Sequence, residues 1–295
     1  MENTKPKLHL IDGTYELFRN YFGPPRGLSP KGVEVGAVRG LCRTLLALIT
    51  KEKATHIGIA FDQVIESFRN KLFAGYKTGE GMPDDLYKQF PLAEKAAKAM
   101  GFVVWPMIDF EADDALCTAA ARWSKDERVG QVLVCSPDKD LAQCVVAERV
   151  VCVDRRRELT LNEAGVKEKF GVSPLLIPDY LALIGDAADG IPGIPKWGEK
   201  ATVTLLQRYG ALENIPASGW DIKIRGAEKL AESLQKYQAE AALYKVLATL
   251  RRDVPLTETL EDLEWRGADK EALTEVCQEL GEVQLLTRIP RWRAQ

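Results

Sequence analysis

Short apolar runs that stop at an acidic residue recur along the chain. Leu8-His9-Leu10-Ile11 ends in Asp12-Gly13-Thr14, and His56-Ile57-Gly58-Ile59-Ala60-Phe61 ends in Asp62. Phe102-Val103-Val104-Trp105 leads to Asp109-Phe110-Glu111-Ala112-Asp113-Asp114, and Gln131-Val132-Leu133-Val134-Cys135 to Ser136-Pro137-Asp138-Lys139-Asp140. These runs read as strands. Between them the apolar spacing turns helical, first at Val35, Val38, Leu41, Cys42, Leu45, Leu46 and Ile49, then at Leu86, Phe90, Ala93, Ala97 and Met100. A third stripe, Leu116, Ala119, Ala120 and Trp123, follows the acidic cluster. Strands alternating with helices predict an α/β fold with a central, mostly parallel sheet flanked by helices and joined by right-handed crossovers.

Val150–Val153 reads as the last strand of that sheet, and Arg155-Arg156-Arg157 after it as a turn or a phosphate contact. Asn162 is placed to cap a helix that Gly171 closes. From about Ser173 no clear strand appears. Tyr180–Ile184 reads as a short helix, followed by Gly185-Asp186-Ala187-Ala188-Asp189-Gly190. The Gly/Pro stretch Ile191-Pro192-Gly193-Ile194-Pro195-Lys196-Trp197-Gly198 then enters another helix at Glu199-Lys200-Ala201. A helix–hairpin–helix of this kind can direct backbone N–H groups and lysines at duplex phosphates. Arg225–Arg252 is mostly helical in pattern, and the tail from Pro255 is acidic at first and basic at its end.

Composition narrows the class. With 46% hydrophobic and 28% charged residues, the 295-residue chain reads as soluble and globular. No apolar run reaches the roughly 18 residues of a membrane span, and the polar start is no signal peptide. The six cysteines show no C-x-x-C spacing and read as buried, reduced thiols in a cytosolic protein. Two histidines, His9 and His56, supply zinc or histidine chemistry poorly. The net charge of −3 argues weakly against a nucleic-acid partner, but setting nine clustered carboxylates aside leaves the remainder at +6.

Those nine are Asp12, Asp62, Glu111, Asp113, Asp114, Asp138, Asp140, Asp186 and Asp189. In parallel sheets functional groups gather beyond the carboxyl ends of the strands, where most of these acids are predicted to lie. For the Glu111 group alone, acids favoured by the helix dipole would be explanation enough. Carboxylates from five segments held together, however, cannot all stay ionised without a counter-charge. Hard divalent cations supply it, and all-oxygen ligands point to Mg²⁺ or Mn²⁺. Two such ions are a standard means of in-line phosphodiester hydrolysis. Arg69 and Lys77 lie in a basic segment (Ser67–Lys71 and Gly75–Pro83) that reads as a flexible, phosphate-handling lid and would add charge at the scissile phosphate.

Leu10-Ile11-Asp12-Gly13, Phe61-Asp62, Phe68-Arg69, Gly75-Tyr76-Lys77, Glu111-Ala112-Asp113-Asp114, Asp138-Lys139-Asp140-Leu141 and Gly185-Asp186-x-x-Asp189 occur in this order. The set closely resembles the 5′-to-3′ exonuclease domain at the front of bacterial DNA polymerase I, within the flap endonuclease superfamily, over roughly residues 5 to 265. The resemblance implies a PIN-like 5′-nuclease core over residues 1–172, with a helical arch at about 64–100. It implies a helix–hairpin–helix and C-terminal helical region over 173–295 that grips the duplex, often with a bound K⁺. The implied activity is that of a metal-dependent 5′-3′ exodeoxyribonuclease or flap endonuclease, serving replication primer removal or repair in the cytoplasm. Its substrate would be DNA with a 5′ end or flap at a single/double-strand junction, RNA primers included, and the protein a monomer. Asp12, Arg69 and Lys77 take catalytic roles, and Arg19, Tyr76, Gly193, Lys196, Gly198 and Lys200 contact DNA. No polymerase sequence follows, so a stand-alone version is expected.

Three departures stand out. The family usually has Arg where this chain has Glu80, Gly-Asp-Ser-Ser-Asp-Asn where it has Gly185–Gly190, and Gly-x-Gly where it has Lys196-Trp197-Gly198. Competing readings are weaker. A haloacid-dehalogenase phosphatase would need an aspartyl nucleophile where Leu10 stands. A PIN-type ribonuclease would need neither arch nor hairpin. A protein that binds branched DNA without cutting would be favoured by loss of an acid from Glu111-Asp113-Asp114, and none is lost.

Overall fold

The computed structural model describes residues 5–23 and 26–294, so the polar start Met1–Thr4 lies outside the described residues. Six strands form one sheet: β1 (Lys7–Asp12), β2 (His56–Asp62), β3 (Val103–Met107), β4 (Gln131–Cys135), β5 (Val150–Asp154) and β6 (Leu159–Leu161). Their spatial order is β3-β2-β1-β4-β5-β6. The first five run parallel, with Ile11 of β1 opposite Ile59 on one side and Cys135 on the other. The order reverses beside β1, which opens a crevice at the carboxyl ends of β1, β2 and β4.

Val150–Val153 is therefore not the last strand. β6 follows and pairs antiparallel with β5. Its three residues, two of them exposed, are too few to register as an apolar run.

Helices cover both faces. α1 (Gly13–Phe22), α2 (Gly36–Thr50), α5 (Phe90–Ala99) and α12 (Lys270–Leu280) lie on one, where Ile11, Leu41, Leu45, Phe61, Ala93 and Leu273 form a continuous core. On the other, α6 (Ala112–Trp123) and α8 (Ile177–Ile184) pack Leu116 and Leu181 against Leu10, Val132 and Val134. Adjacent Leu10 and Ile11 thus serve opposite cores, as the two-residue period of a strand requires.

The remaining helices are α3 (Phe68–Leu72), α4 (Asp84–Tyr87), α7 (Glu163–Phe170), α9 (Glu199–Tyr209), α10 (Ala227–Lys236) and α11 (Gln238–Ala248). Asn162 caps α7 by accepting from Gly165 N at 2.8 Å, and Gly171 ends it at φ 72°. A cap of this kind contributes about 1 kcal/mol.

Three helices escaped the apolar pattern, α1, α3 and α12. Asp12, besides ending β1, caps α1 by accepting from Tyr15 N at 2.8 Å. α12 is capped by Asp269, which accepts from Ala272 N at 2.9 Å, and closed by Gly281 at φ 67°. Its Leu273, Val276 and Leu280 return to the first core, so the tail read only by its charge is built into the sheet's flank.

Candidate active site

Ser67–Lys71, expected as part of a flexible lid, folds as the start of α3. Ser67 Oγ accepts from Arg69 N at 3.2 Å while Asn70 Oδ1 accepts from Ser67 N at 2.8 Å, a reciprocal capping box. Arg69, expected at the scissile phosphate, is instead completely buried. Its Nη1 donates to Asp114 Oδ2 at 2.7 Å and to Glu111 Oε1 at 2.9 Å, and its Nη2 to Asp114 Oδ1 at 2.8 Å. Its Nε donates to the Leu247 carbonyl at 2.8 Å. Burial opposes the guanidinium charge, but the bonds to Asp114 and the charge of Glu111 outweigh it and raise its pKa.

Asp114 is likewise sealed, taking further bonds from Glu111 N at 3.0 Å and Arg251 N at 2.8 Å. Arg69 and Asp114 thus form a pedestal beneath the start of α6. Glu111 sits on this pedestal with Ser67 Oγ at 2.8 Å and reaches Lys77 Nζ at 2.7 Å. Burial alone would raise its pKa, but Lys77 and Arg69 reverse the sign and hold it below the ordinary value.

The other carboxylates of the sheet edge have no such partners. Among the described residues Asp12, Asp62, Asp113, Asp138 and Asp140 make no ion pair with Lys or Arg, whereas Glu111, Asp114, Asp186 and Asp189 all do. Asp12 is held by its helix cap and by Ser136 Oγ at 2.7 Å, yet burial and the charges of Asp62 and Asp138 push its pKa up to about 7. Asp62 accepts from Ala112 N at 2.7 Å and is pushed up to about 6, again chiefly by burial. Asp113 and Asp140 are driven well above the usual range by burial, with Asp138 the largest neighbouring charge in each case. Asp140 Oδ1 is buried without any hydrogen-bond partner.

Across the crevice stand two acids of the hairpin. Carboxylate oxygens of Asp140, Asp186 and Asp189 lie within 4.8 Å of one another. Asp186 Oδ2 pairs with Lys139 Nζ at 2.6 Å, and Asp189 Oδ1 with Lys77 Nζ at 3.0 Å. Lys77 thus bridges the sheet edge and the hairpin, and the charges of Glu111 and Asp189 raise its pKa in spite of burial. Of the nine acids, seven face this crevice or its rim, while Asp114 lies beneath its floor and Glu111 forms the link between.

The expected DNA contacts divide. Lys196, Gly198 and Lys200 are exposed at the entry to α9, and Gly198 provides its cap position with open space around it. Lys196 takes φ 72°, the left-handed backbone that a glycine would adopt there, so the lysine preserves the turn. Gly193 is buried against the backbone of Gly185, where a Cβ would overlap it, and so shapes the hairpin. Tyr76 is buried, its hydroxyl donating to Glu111 Oε2 and Asp189 Oδ2, each at 3.3 Å. Arg19 is tied to Glu16 and donates to Thr44 Oγ1 at 2.9 Å on the α1–α2 side.

Sequence reasoning missed Ser136, Lys139 and Ser67. Each neighbours a recognised acid or base in the chain, but its partner is remote in sequence. The Ser67-x-x-Asn70 spacing was a readable helix-start signal. The bonds of Ser136 to Asp12 and of Lys139 to Asp186 had none.

Comparison with known proteins bears on this arrangement. Residues 7–171 match the family model described as 5′-3′ exonuclease, N-terminal resolvase-like domain, and residues 172–271 the 5′-3′ exonuclease, C-terminal SAM fold. The chain is 32% identical over 286 residues to the 5′-3′ exonuclease of Aquifex aeolicus (strain VF5), covering 96% of this chain and 95% of that protein. It is 36% identical over 281 residues to DNA polymerase I of Bacillus caldotenax, covering 94% of this chain but 32% of the polymerase. The chain therefore spans about a third of the length of such polymerases. Among solved structures, T5 5′-exonuclease with bound zinc ions superposes with a TM-score of 0.66 at 18% identity, covering 94% of this chain and 99% of that one. The catalytic core of Rad2 in complex with DNA substrate superposes at 0.60 with 12% identity, covering 95% and 90%. At these identities the likeness establishes a shared fold. No helix among the described residues is long and apolar enough to cross a membrane.

Proposed function

The chain belongs to the 5′-3′ exonuclease family, and on that premise we propose that it is a divalent-metal-dependent, structure-specific 5′ nuclease. It would hydrolyse DNA phosphodiesters near a 5′ end or flap. The observation that carries this reading is the row of carboxylates without cationic partners, Asp12, Asp62, Asp113, Asp138 and Asp140, at the edge of one crevice. A buried Asp140 oxygen lacking any partner, within a donor set made only of oxygen, suits Mg²⁺ or Mn²⁺.

Two such ions, when bound, would lower the pKa of a water and neutralise charge on the phosphate. Asp12, Asp62, Asp113, Asp138 and Asp140 would hold them from the sheet side, with Asp186 and Asp189 from the hairpin, while Glu111 holds the Lys77 ammonium beside them. Lys77 keeps its proton beside Glu111 and Asp189, which makes it an electrostatic group for the scissile phosphate and not a general base. Arg69 and Asp114 serve from beneath by fixing Glu111. The exposed entry to α9, with Lys196, Gly198 and Lys200, suits duplex phosphates. The left-handed backbone at Lys196 retains the turn to which the resemblance assigns a K⁺. A cytoplasmic monomer acting on primer or repair intermediates, with RNA or DNA at the 5′ end, completes the reading.

The test is incubation with a labelled 5′-flap duplex, with and without Mg²⁺, and mapping of the cut. Cleavage near the junction that EDTA abolishes is expected. Binding without cutting would favour the non-cleaving branched-DNA protein, and full activity in EDTA would overturn the metal reading.

A further inference from the structure

Asp140 opens a 3₁₀ turn, Asp140–Cys144, and its Oδ1 is buried without a hydrogen-bond partner. The place of that carboxylate therefore depends on the backbone beneath it, and a 3₁₀ turn is a weak support by itself. Gln143 supplies the support. It is buried three residues further on, where a 3₁₀ side chain stands over the residue three before it. Its Nε2 donates to the Asp140 carbonyl at 2.9 Å and to the Ala248 carbonyl at 3.0 Å, and its Oε1 accepts from Leu250 N at 2.9 Å. Two of these partners are carbonyls and one is an N–H, so a single orientation of the amide serves all three.

The remote partners lie on one short stretch. α11 ends at Ala248, and the carbonyls at a helix end have no partner within the helix. Arg69 donates to those of Leu247 at 2.8 Å and Thr249 at 3.0 Å, and Gln143 to that of Ala248 between them. The end of α11 is thus gripped from two sides, by the pedestal under α6 and by the turn that carries Asp140. α11 in turn packs along α8, the helix that leads into Asp186.

We propose that Gln143 is a positioning residue for Asp140, fastening the turn beneath that carboxylate to the end of α11. Asp140 on the sheet side and Asp186 on the hairpin side then share one support, the α8–α11 pair. This accounts for how oxygens of Asp140, Asp186 and Asp189 are kept within 4.8 Å of one another against their mutual repulsion. The inference deepens the nuclease reading and rests on it for its effect on rate.

The test compares wild type with Gln143→Met, Gln143→Glu and Leu273→Ala. Methionine keeps the bulk and loses every bond, whereas an ionised glutamate keeps the acceptor for Leu250 N and loses both donations. Leu273, in the core on the other face of the sheet, is a control that destabilises without touching the crevice. Three quantities are read below the melting range of every variant: Mn²⁺ affinity without DNA by electron paramagnetic resonance, duplex affinity in Ca²⁺, and single-turnover cleavage of a 5′-flap duplex in Mg²⁺. Both Gln143 variants should bind Mn²⁺ about 10- to 100-fold more weakly and cleave more slowly by a similar factor, the usual cost of losing an outer partner of a metal site. Duplex affinity should stay within about twofold of wild type, as a loss confined to the metal site requires. Leu273→Ala should match wild type in all three.

Wild-type Mn²⁺ affinity in either Gln143 variant would overturn the inference. So would losses of equal size in Leu273→Ala, or failure of both Gln143 variants to fold, either of which would assign the glutamine to the fold and not to Asp140. A wild-type protein that binds Mn²⁺ but does not cut would instead sink the nuclease reading, leaving Mn²⁺ affinity to decide this one.

Discussion

The carboxylates of the crevice fall into two halves that share a motif but not an electrostatic setting. In Glu111-Ala112-Asp113-Asp114, Glu111 and Asp114 are clamped by Arg69, while Asp113, between them in sequence, turns toward Asp12 and Asp138 and makes no ion pair, with Lys77 acting on it only from a distance. Helical geometry makes the division. Glu111 is the N-cap of α6 and Asp114 its N3 residue, joined in a reciprocal capping box, so these two turn to the interior and Asp113 is left at the sheet edge. The clamped half is balanced by the protein itself. The other half carries charge that the fold leaves unbalanced, and that excess is what a divalent ion would meet. Acidic residues adjacent in sequence can thus be one a structural anchor and the next a ligand.

The sharpest way to break the comparison is to remove one acid from the unbalanced half. Asp113→Asn should lower Mg²⁺-dependent cleavage of a flap duplex by at least about 100-fold, beyond what loss of an outer partner of a metal site typically does. Its melting temperature without metal should hold or rise, because a repelled charge has gone. A fall in melting temperature that matched the fall in rate would put Asp113 with the anchors.

The clamped half predicts the reverse order of effects. Arg69→Met leaves Asp114 and Glu111 buried without their guanidinium, which costs about 3–5 kcal/mol. Denaturant unfolding should register that loss directly, and Asp114→Asn should destabilise in the same direction. An Arg69→Met protein as stable as wild type would contradict the pedestal.

Acidity sharpens the contrast, since the halves respond with opposite sign. Asp62 and Asp12 have folded pKa values of about 6 and about 7, above the ordinary carboxylate. Their contribution to stability is complete below about pH 4 and is lost as pH rises through those values. Glu111 is held below its ordinary value, so its contribution is present above about pH 4.5 and is lost on acidification. In EDTA the melting temperature should therefore peak near pH 5 and fall on both sides. Asp12→Asn should flatten the alkaline limb and leave the acid limb unchanged, which melting curves across the pH range would verify.

The smallest effect concerns an acid in neither half. Glu80 is exposed in the turn after Lys77, where the family usually has arginine. Glu80→Arg should add about one phosphate contact and steepen log K against log[salt] by about 0.7 to 0.9. Equal slopes for the two proteins would mean that this turn stays clear of the DNA.

Much of this arrangement was legible in the chain. The strands ending in Asp12 and Asp62, the Asn162–Gly171 helix and the hairpin at 185–198 follow from apolar period, caps and Gly/Pro placement, all of them local signals. The line between the two halves was not legible. Arg69 reads as one more surface cation until α3 turns it inward, where its guanidinium meets an acid 45 residues away. Tyr76 reads as a DNA contact, whereas the fold buries it with its hydroxyl between Glu111 and Asp189, acids remote in sequence. β6 and α12 were missed for a simpler reason: one is too short to show a period, and the other lies in a tail whose charge masked its apolar stripe.

The most direct test of the central claim is the melting temperature at pH 7.5 with and without Mg²⁺, for wild type and for Asp113→Asn. An ion held by the unbalanced half stabilises the folded state by about 2.7 kcal/mol at a hundred times its Kd. Wild type should therefore melt markedly higher with Mg²⁺, and Asp113→Asn should lose most of that gain. An equal rise in both proteins, or none in wild type, would contradict the assignment of those carboxylates to a metal.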